Sequence, residues 1–368
     1  MTPPVRSFDL VRNLETVRQE ILQSIERVLD SGVIILGPET QAFEDEFAKM
    51  AGADFAVGVA SGTDSLILAL RACGVQAGHE VITVANTAVP TASAIRAIGA
   101  IPVFADVSDD TLLMDPGKVE LLITQRTRAI LPVHLYGLIA PMEELTDIAE
   151  RYSLRVIEDC AHAHGATLDG RHAGTFGDIG CFSFYPTKNI GALGDAGLCL
   201  TGSAELAEKL RQLRMYGFGR ERIASVDGVN SRIDELQAAI LRVRLKHFPE
   251  NQRRRTAIAE RYLSALQGLA VRLPVADPRQ QHAWHQFVIR TADRERVTSA
   301  LDKNSVGWGI HYEYCLHRMP AFAPFFCDGQ SLPVTEKATD EILSLPVSPE
   351  LTDLECDRVI GVLREALR

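Results

Sequence analysis

The chain has 368 residues, of which 46% are hydrophobic and 23% are charged, and its formal net charge is -10. This length exceeds the size at which a single hydrophobic core usually stops growing, so two soluble globular domains are expected. The acidic balance argues against a nucleic-acid partner, because phosphate recognition needs clustered Lys and Arg. The one dense basic run, 253–255, lies beside glutamates in a helical pattern and predicts a solvated or interface face.

The cysteines and the N-terminal residues indicate the cellular compartment in which the protein is expected. No C-x-x-C pair occurs, and an odd number of cysteines favours a reducing compartment. These cysteines are Cys73, Cys160, Cys181, Cys199, Cys315, Cys327 and Cys356. The first residues lead into no apolar signal core, and no apolar run of about 18 residues predicts a membrane span. We therefore expect a cytoplasmic protein with no membrane partner.

Hydrophobic periodicity predicts the elements of the first 250 residues. Apolar residues three and four apart predict an amphipathic helix at 14–29, and a second helix is expected at 39–50. Buried strands are predicted at 81–84, 101–104, 129–135, 154–157, 179–184 and 197–200, with helices at 64–73, 89–98, 115–124, 141–152 and 204–215. This alternation predicts a mostly parallel sheet covered by helices on both faces. The last two strands lack room for a crossover helix, which leaves an antiparallel step open there.

From about residue 250 the pattern changes. It predicts a helix at 250–267, a strand at 284–290, a helix at 294–304 and a final helix at 352–367. We interpret this as a smaller α+β domain at 251–368, after a large domain at 10–250. Residues 1–9 are candidates to pack with the small domain.

A turn suited to phosphate follows a short strand at 57–60. Gly62 lets the backbone approach an anion, Thr63 adds a hydroxyl donor, and the free N–H groups of the next helix point at the same place. The alternative is that Ser61 or Thr63 simply caps that helix and binds no ligand.

An acid and a lysine form the second candidate feature. Asp159 ends an apolar strand, where open α/β sheets place ligands, and Lys188 follows 29 residues later. Such a pair can hold a pyridoxal ring, because the amine condenses with the aldehyde while the carboxylate keeps the ring nitrogen protonated. Taken singly, Asp159 could cap a turn and Lys188 could be a surface lysine. Asp159, His162 and His164 could chelate a metal, but no distal ligand spacing matches, so no metal is predicted.

Several motifs occur in a fixed order along the chain and together resemble those of a known family. Taken together, they resemble the PLP-dependent sugar aminotransferases of the DegT/DnrJ/EryC1/StrS family, along almost the whole chain. The motifs lie at 35–39, 58–64, 132–137, 157–165, 182–191 and 230–239. The resemblance implies the aspartate-aminotransferase-like (fold type I) scaffold, which is an α/β fold. Its large domain has three layers around a mostly parallel mixed sheet, and its smaller domain is α+β.

The resemblance also implies roles for particular residues. Lys188 is expected to form the Schiff base with pyridoxal 5'-phosphate and Asp159 to pair with the pyridine nitrogen. The other cofactor-binding residues implied are Gly62, Thr63, Asp64, His162, Ser183 and Asn230. Asn230 is expected to reach the phosphate bound by the neighbouring subunit, which implies a homodimer with shared active sites. By similarity to 3-ketosugar members, Tyr185, His311 and Tyr312 contact the sugar, and His317 occupies another recurrent position.

The implied reaction is transamination from L-glutamate to a nucleotide-linked ketosugar, with pyridoxamine 5'-phosphate formed between the two halves. The nearest substrates are dTDP-3-keto-6-deoxyhexoses. The alternatives are a C4-aminotransferase acting on a 4-ketosugar, a keto-inositol aminotransferase, and a ligand-binding regulator without catalysis. Lys188 argues against the related dehydratases, which carry histidine there, and no G-x-G-x-x-G motif supports a dehydrogenase.

Two positions depart from many relatives of the family. Ala88 stands where many carry an aromatic side chain that stacks on the cofactor ring. His162 stands where many carry glutamine, although histidine can still donate a hydrogen bond to the ring hydroxyl. The first change leaves one face of the expected ring uncovered.

Overall fold

The computed structural model describes residues 3–219, 221–275, 277–326 and 330–367, so the expectation for Cys327 lies outside the described residues. The helices are α1 Leu10–Glu15, α2 Arg18–Ser31, α3 Pro38–Ala51, α4 Gly62–Ala72, α5 Val89–Ala97, α6 Pro116–Val119, α7 Met142–Tyr152, α8 Ala204–Leu213, α9 Glu235–Leu266, α10 Arg294–Lys303, α11 Pro333–Glu341 and α12 Asp353–Ala366. The strands are β1 Phe55–Val59, β2 Glu80–Val84, β3 Ile101–Ala105, β4 Thr127–Ile130, β5 Arg155–Asp159, β6 Thr167–Leu168, β7 Arg171–His172, β8 Ile179–Ser183, β9 Gly197–Thr201, β10 Gln280–Gln281, β11 Phe287–Arg290 and β12 Ile342–Leu345.

A seven-stranded mixed sheet organises the larger part of the chain, in the order β1-β9-β8-β5-β4-β2-β3. The pairs among β3, β2, β4, β5 and β8 are parallel, whereas β9 pairs antiparallel with both β8 and β1. The antiparallel step expected between the last two strands is therefore present. The central strands are buried along most of their length because helices pack on both faces of the sheet. This is the predicted α/β class.

A second hydrophobic core surrounds the antiparallel pair β11–β12. It is contributed by α10, α12 and the C-terminal half of α9, whose 32 residues extend from the first core into the second. Val5 is buried in this second core, and its N–H donates to the carbonyl of Ser305 at 2.9 Å. The division at residues 250 and 251 stays a prediction, because α9 contributes to both cores.

Several predicted boundaries differ from the structure. The first helix is interrupted at 16–17, so α1 and α2 are separate. The strand predicted at 129–135 ends at Ile130, because Pro132 has no N–H to donate to the ladder. The strand predicted at 284–290 begins only at Phe287, since Trp284 adopts a left-handed φ of 46° and its N–H donates to Nδ1 of His282 at 2.8 Å. The helix predicted at 250–267 begins at Glu235 instead.

The helix predicted at 115–124 is only a short α6 followed by a 3₁₀ turn at Glu120–Leu122. Elements that periodicity did not reveal are α11, β12 and the two-residue strands β6, β7 and β10. Such short strands carry too few residues for alternation to be visible. Within the described residues, none of the helices has the length and apolarity needed to cross a membrane.

Candidate active site

One cavity opens where β1, β2, β5 and β8 end. All four carboxyl ends lie at the same edge of the sheet, which is where open α/β sheets bind ligands. Predicted site residues that line this cavity are Gly62, Thr63, Asp159, His162, Ser183, Tyr185, Lys188 and Tyr312. The structure thus brings together side chains that span about two-thirds of the sequence.

Asp159 lies at the floor of this cavity, with only 5% of its surface exposed. Its Oδ2 accepts the hydroxyl proton of Thr91 at 2.8 Å, and its Oδ1 accepts the N–H of Ala161 at 3.1 Å. Burial raises the pKa of Asp159, while these two donors and the nearby Lys188 oppose that rise. A cation bound in the cavity would therefore be matched by an acid that the protein already orients.

Lys188 follows a turn at the end of β8, in which its N–H donates to the carbonyl of Tyr185 at 2.8 Å. The side chain is half-buried, and burial lowers its pKa to about 8 against the opposing attraction of Asp159. A lysine with this pKa holds a substantial neutral fraction near physiological pH, as attack on a carbonyl requires. The expected chemistry of Lys188 thus has a physical basis in its burial.

The opposite end of the cavity is the start of α4. Ser61 caps this helix by accepting the N–H of Asp64 at 3.1 Å, and Ser183 packs against Gly62. The first-turn N–H groups at Gly62 and Thr63 have no partner within a helix, and the helix dipole makes this end positive. Thr63 and Ser183, which both carry a hydroxyl group, line the cavity together with this helix start. This arrangement has the donors and the positive potential that a phosphate group needs.

The imidazole of His162 is fixed between backbone and side chain. Its Nδ1 accepts the N–H of Tyr136 at 3.3 Å, so its Nε2 carries the proton and donates to the hydroxyl of Tyr312 at 3.2 Å. Burial lowers the pKa of His162 well below its usual range, with the charge of Lys188 acting in the same direction. His162 is therefore a neutral hydrogen-bond donor at the cavity wall.

Four predicted residues lie away from the cavity lining. Asp64 is half-buried in the first turn of α4, and its Oδ2 accepts the hydroxyl proton of the buried Ser231 at 2.9 Å. Asn230 is exposed on the surface of this chain. The Nδ1 of His311 lies 2.8 Å from the Oγ of Ser344.

His317 belongs to a different cluster. Its Nε2 lies 3.0 Å from Oε1 of Glu336, and its ring packs against Phe326 at 4.6 Å between centroids. Its side chain is almost fully buried there, away from the residues that line the cavity. Within one subunit the structure gives His317 a structural environment, and a substrate contact for it stays a prediction.

A buried acid supports the cavity floor from behind. Glu158 accepts a hydrogen bond from Nε2 of His134 at 2.8 Å and from the N–H groups of Gly174, Phe176 and Gly177 at 2.6 to 2.8 Å. Cys160 lies close enough to complete a trio of metal-ligand types with His134 and Glu158. Because the carboxylate oxygens already accept four protein hydrogen bonds, we assign this cluster a structural role.

Some functional residues were missed from the sequence. Thr87, Thr91 and Asp195 also line the cavity, and Thr91 donates a hydrogen bond to Asp159. Asn189 binds the carbonyl of Ala283 at 2.7 Å and lies 3.0 Å from Nδ1 of His285, which ties the lysine loop to the segment before β11. Thr87 and Thr91 could have been predicted from their position after β2, because the end of that strand lies at the same edge of the sheet as Asp159.

The profile of the DegT/DnrJ/EryC1/StrS aminotransferase family matches residues 15–364. The chain belongs to this family. It is 45% identical over 365 residues to a dTDP-3-amino-3,4,6-trideoxy-alpha-D-glucose transaminase from Streptomyces venezuelae, covering 99% of this chain and 96% of that protein. A UDP-N-acetyl-3-dehydro-alpha-D-glucosamine 3-aminotransferase from Acidithiobacillus ferrooxidans is 43% identical, with 98% of this chain and 97% of that protein covered.

The fold comparison agrees with the sequence comparison. A crystal structure of DesV from S. venezuelae, in complex with a ketimine intermediate, matches with a TM-score of 0.97 at 45% identity and full coverage of both chains. The fold class and the assignment as a PLP-dependent sugar aminotransferase, both expected from the motifs, are confirmed.

The cavity fits pyridoxal 5'-phosphate on its own geometry. The same cavity is lined by a carboxylate already held by two donors, by a helix start with hydroxyl side chains and by a lysine of lowered pKa. A side chain at Gly62 would collide with Ser183, so glycine is required where α4 begins against the end of β8. On the remaining wall, Ala88 contributes only a methyl group.

Proposed function

We propose that this protein transfers the amino group of L-glutamate to C3 of a nucleotide-linked 3-keto-6-deoxyhexose, most closely a dTDP-sugar. The observation that carries the proposal is that Lys188 and Asp159 line one cavity, within a chain 45% identical to a dTDP-3-amino-3,4,6-trideoxy-alpha-D-glucose transaminase. The similarity to a UDP-sugar 3-aminotransferase supports amino transfer to C3 of the sugar. The experiment below determines which nucleotide the sugar carries.

Each residue of the cavity is assigned a role toward one part of the cofactor. When bound, the cofactor supplies an electron sink that stabilises negative charge at the reacting carbon. Asp159 would pair with the ring nitrogen and keep it protonated, while the single Nε2 proton of His162 would turn from Tyr312 to the ring hydroxyl. Thr63 and Ser183, with the first turn of α4, hold the phosphate. The Nζ atom of Lys188 would take the proton from the α-carbon of the amino acid and deliver it to the C4′ carbon of the cofactor, and in the second half-reaction it would move a proton from C4′ to C3 of the sugar.

The sugar is assigned to the open side of the cavity. Tyr185 is 52% exposed at its mouth, and the hydroxyl of Tyr312 reaches the wall beside His162. Both side chains can hydrogen-bond a sugar hydroxyl or carbonyl, and His311 stands next to Tyr312 in the chain. Roles for His311 and His317 in substrate binding are part of the proposal.

We further propose a homodimer in which each subunit completes the other's site. Exposed apolar side chains lie near the cavity mouth and near Asn230, which favours a covered face there. They include Ile34, Ile35, Leu193, Tyr216, Val226 and Val229. Asn230 is exposed in the single chain, so its amide is available to a phosphate bound by the partner.

A panel of nucleotide ketosugars tests the reaction. The protein is loaded with the cofactor and incubated with nitrogen-15-labelled glutamate, and products are identified by mass spectrometry. We expect label in a 3-amino dTDP-sugar, and none with Lys188→Ala. Conversion restricted to 4-ketosugars or keto-inositols would replace the substrate assignment by one of those alternatives. If the parent protein converts no ketosugar and the bound cofactor's absorbance does not respond to glutamate, a non-catalytic ligand-binding regulator is the better description.

A further inference from the structure

A chain of two hydroxyl groups ends on the carboxylate of Asp159. The hydroxyls of Thr87 and Thr91 are 3.1 Å apart, and Thr91 Oγ1 lies 2.8 Å from Asp159 Oδ2. All three side chains are buried, with 2%, 1% and 5% of their surfaces exposed. Thr87 lies in the loop after β2, and Thr91 lies in the first turn of α5. Asp159 is the last residue of β5.

The direction of these hydrogen bonds follows from proton counting. An ionised carboxylate only accepts, so Thr91 must donate its single hydroxyl proton to Asp159. Thr91 then has only lone pairs left for Thr87, and Thr87 is the donor of the second bond. The order of donation is therefore Thr87 to Thr91 to Asp159. Because β4 separates β2 from β5 in the sheet, this chain joins two strand ends that do not pair with each other.

The long-range hydrogen bond of Thr91 is not needed to satisfy its hydroxyl group within the folded helix. A threonine in the first turn of a helix can satisfy its hydroxyl locally, on a nearby backbone carbonyl. Thr91 instead directs its hydroxyl out of α5 to a carboxylate 68 positions away in sequence. With the N–H of Ala161 on the other oxygen, both oxygens of Asp159 are held by a donor, which fixes the plane of the carboxylate.

We propose that Thr91, supported by Thr87, is a positioning residue that orients Asp159 and keeps it ionised for the ring nitrogen of the cofactor. This inference rests on the cofactor role assigned above and does not depend on which sugar is the substrate. Hydrogen bonds to charged groups are stronger than those between neutral groups, and the loss of one inside a buried site is not compensated by water.

The test uses Thr91→Val, which replaces the hydroxyl by a methyl group of nearly the same size, and Thr91→Ser, which keeps the hydroxyl. The matched control is Thr83→Val. Thr83 is equally buried in β2, and its hydroxyl donates to the carbonyl of Leu131 at 2.8 Å, away from Asp159. The measurements are the dissociation constant for pyridoxal 5'-phosphate, the absorbance spectrum of the bound cofactor and the thermal midpoint of the cofactor-free protein.

We expect Thr91→Val to weaken cofactor binding by about tenfold or more and to change the spectrum, because the ring nitrogen loses part of its anionic partner. Thr91→Ser should restore both, and Thr83→Val should lower only the thermal midpoint. When Asp159→Asn is already present, adding Thr91→Val should change neither the dissociation constant for the cofactor nor the absorbance spectrum further. If Thr91→Val does not fold, Thr87→Val is expected to shift affinity and spectrum in the same direction by less.

Two results would overturn the inference. Equal affinities and spectra for Thr91→Val and Thr83→Val would show that the hydroxyl does not act on Asp159. Weak binding by Thr91→Ser as well would show that packing, and not the hydroxyl, is responsible. Failure of the parent protein to bind the cofactor would remove the proposed function together with this inference, and so differs from either result.

Discussion

The α-carbon of Gly62 faces the side chain of Ser183 so closely that an added methyl group would collide with Ser183 Cβ and lie 2.9 Å from its Oγ. Gly62 begins α4 and Ser183 ends β8, so this contact sets the distance between the helix start and the strand end. Both belong to the phosphate end of the cavity. The absence of a side chain at position 62 is therefore a geometric requirement of the site.

This contact predicts the effect of Gly62→Ala. The methyl group must push the first turn of α4 away from Ser183, so we expect the affinity for pyridoxal 5'-phosphate to fall by about tenfold or more. The measurement is the dissociation constant by absorbance titration. The control is Gly361→Ala in α12, where an added methyl group meets no atom within 4 Å. Equal affinities of the two variants would contradict the prediction.

The partly desolvated amine of the half-buried Lys188 predicts a pH-dependent change in stability. Burial lowers its pKa from the ordinary value of 10.5 to about 8, so the unfolded chain binds this proton more tightly between those two pH values. The destabilisation is therefore complete below pH 8 and disappears as the pH rises toward 10.5. We expect Lys188→Met to raise the unfolding free energy of the cofactor-free protein by about 1–3 kcal/mol at neutral pH.

The measurement is urea unfolding at several pH values. The advantage of Lys188→Met should shrink steadily above pH 8. As a control, Lys209→Met removes an exposed lysine of α8 that pairs with Glu205, and should change the unfolding free energy at neutral pH much less than Lys188→Met does. An advantage that grows with pH would show that attraction to Asp159, and not burial, dominates at Lys188.

The acid behind the cavity floor predicts a large loss of stability. Glu158→Gln places an amide among four groups that all donate hydrogen bonds to the native carboxylate. We expect a loss of about 2–4 kcal/mol in unfolding free energy, because buried donors are left without an acceptor. Chemical unfolding measures the loss. Glu120→Gln, which breaks an exposed pair with Arg151, serves as the control and should lower the unfolding free energy far less than Glu158→Gln.

Shared active sites predict rescue between two inactive variants. In a mixed dimer of Lys188→Ala and Asn230→Ala subunits, one site has both its own Lys188 and the neighbour's Asn230. We expect about half the activity of the parent dimer per mixed dimer, measured after dual-tag purification. A mixed dimer of Lys188→Ala with the parent subunit is the control. No rescue, in a mixed dimer that forms, would place Asn230 outside the neighbouring site.

The sequence determined the type of fold and the identities of the main reactive groups. Apolar runs alternating with amphipathic segments specify a helix-covered sheet, because strands buried on both faces need apolar residues throughout. Asp159 was predictable because strand ends in such sheets face ligands, and Lys188 because its motif matched the family. Periodicity failed where elements are short or interrupted, as at Pro132 and Trp284, since two to four residues carry no readable period.

Only the tertiary structure decided which groups act together. The hydroxyl of Thr91 reaches Asp159 because α5 begins at the same sheet edge as the end of β5, and no local pattern encodes that contact. The neutral state of His162 and the lowered pKa of Lys188 likewise arise from burial by segments far apart in sequence. Residue types fix what chemistry is available, whereas distance and desolvation, which depend on the packed fold, fix the protonation state and partner of each group.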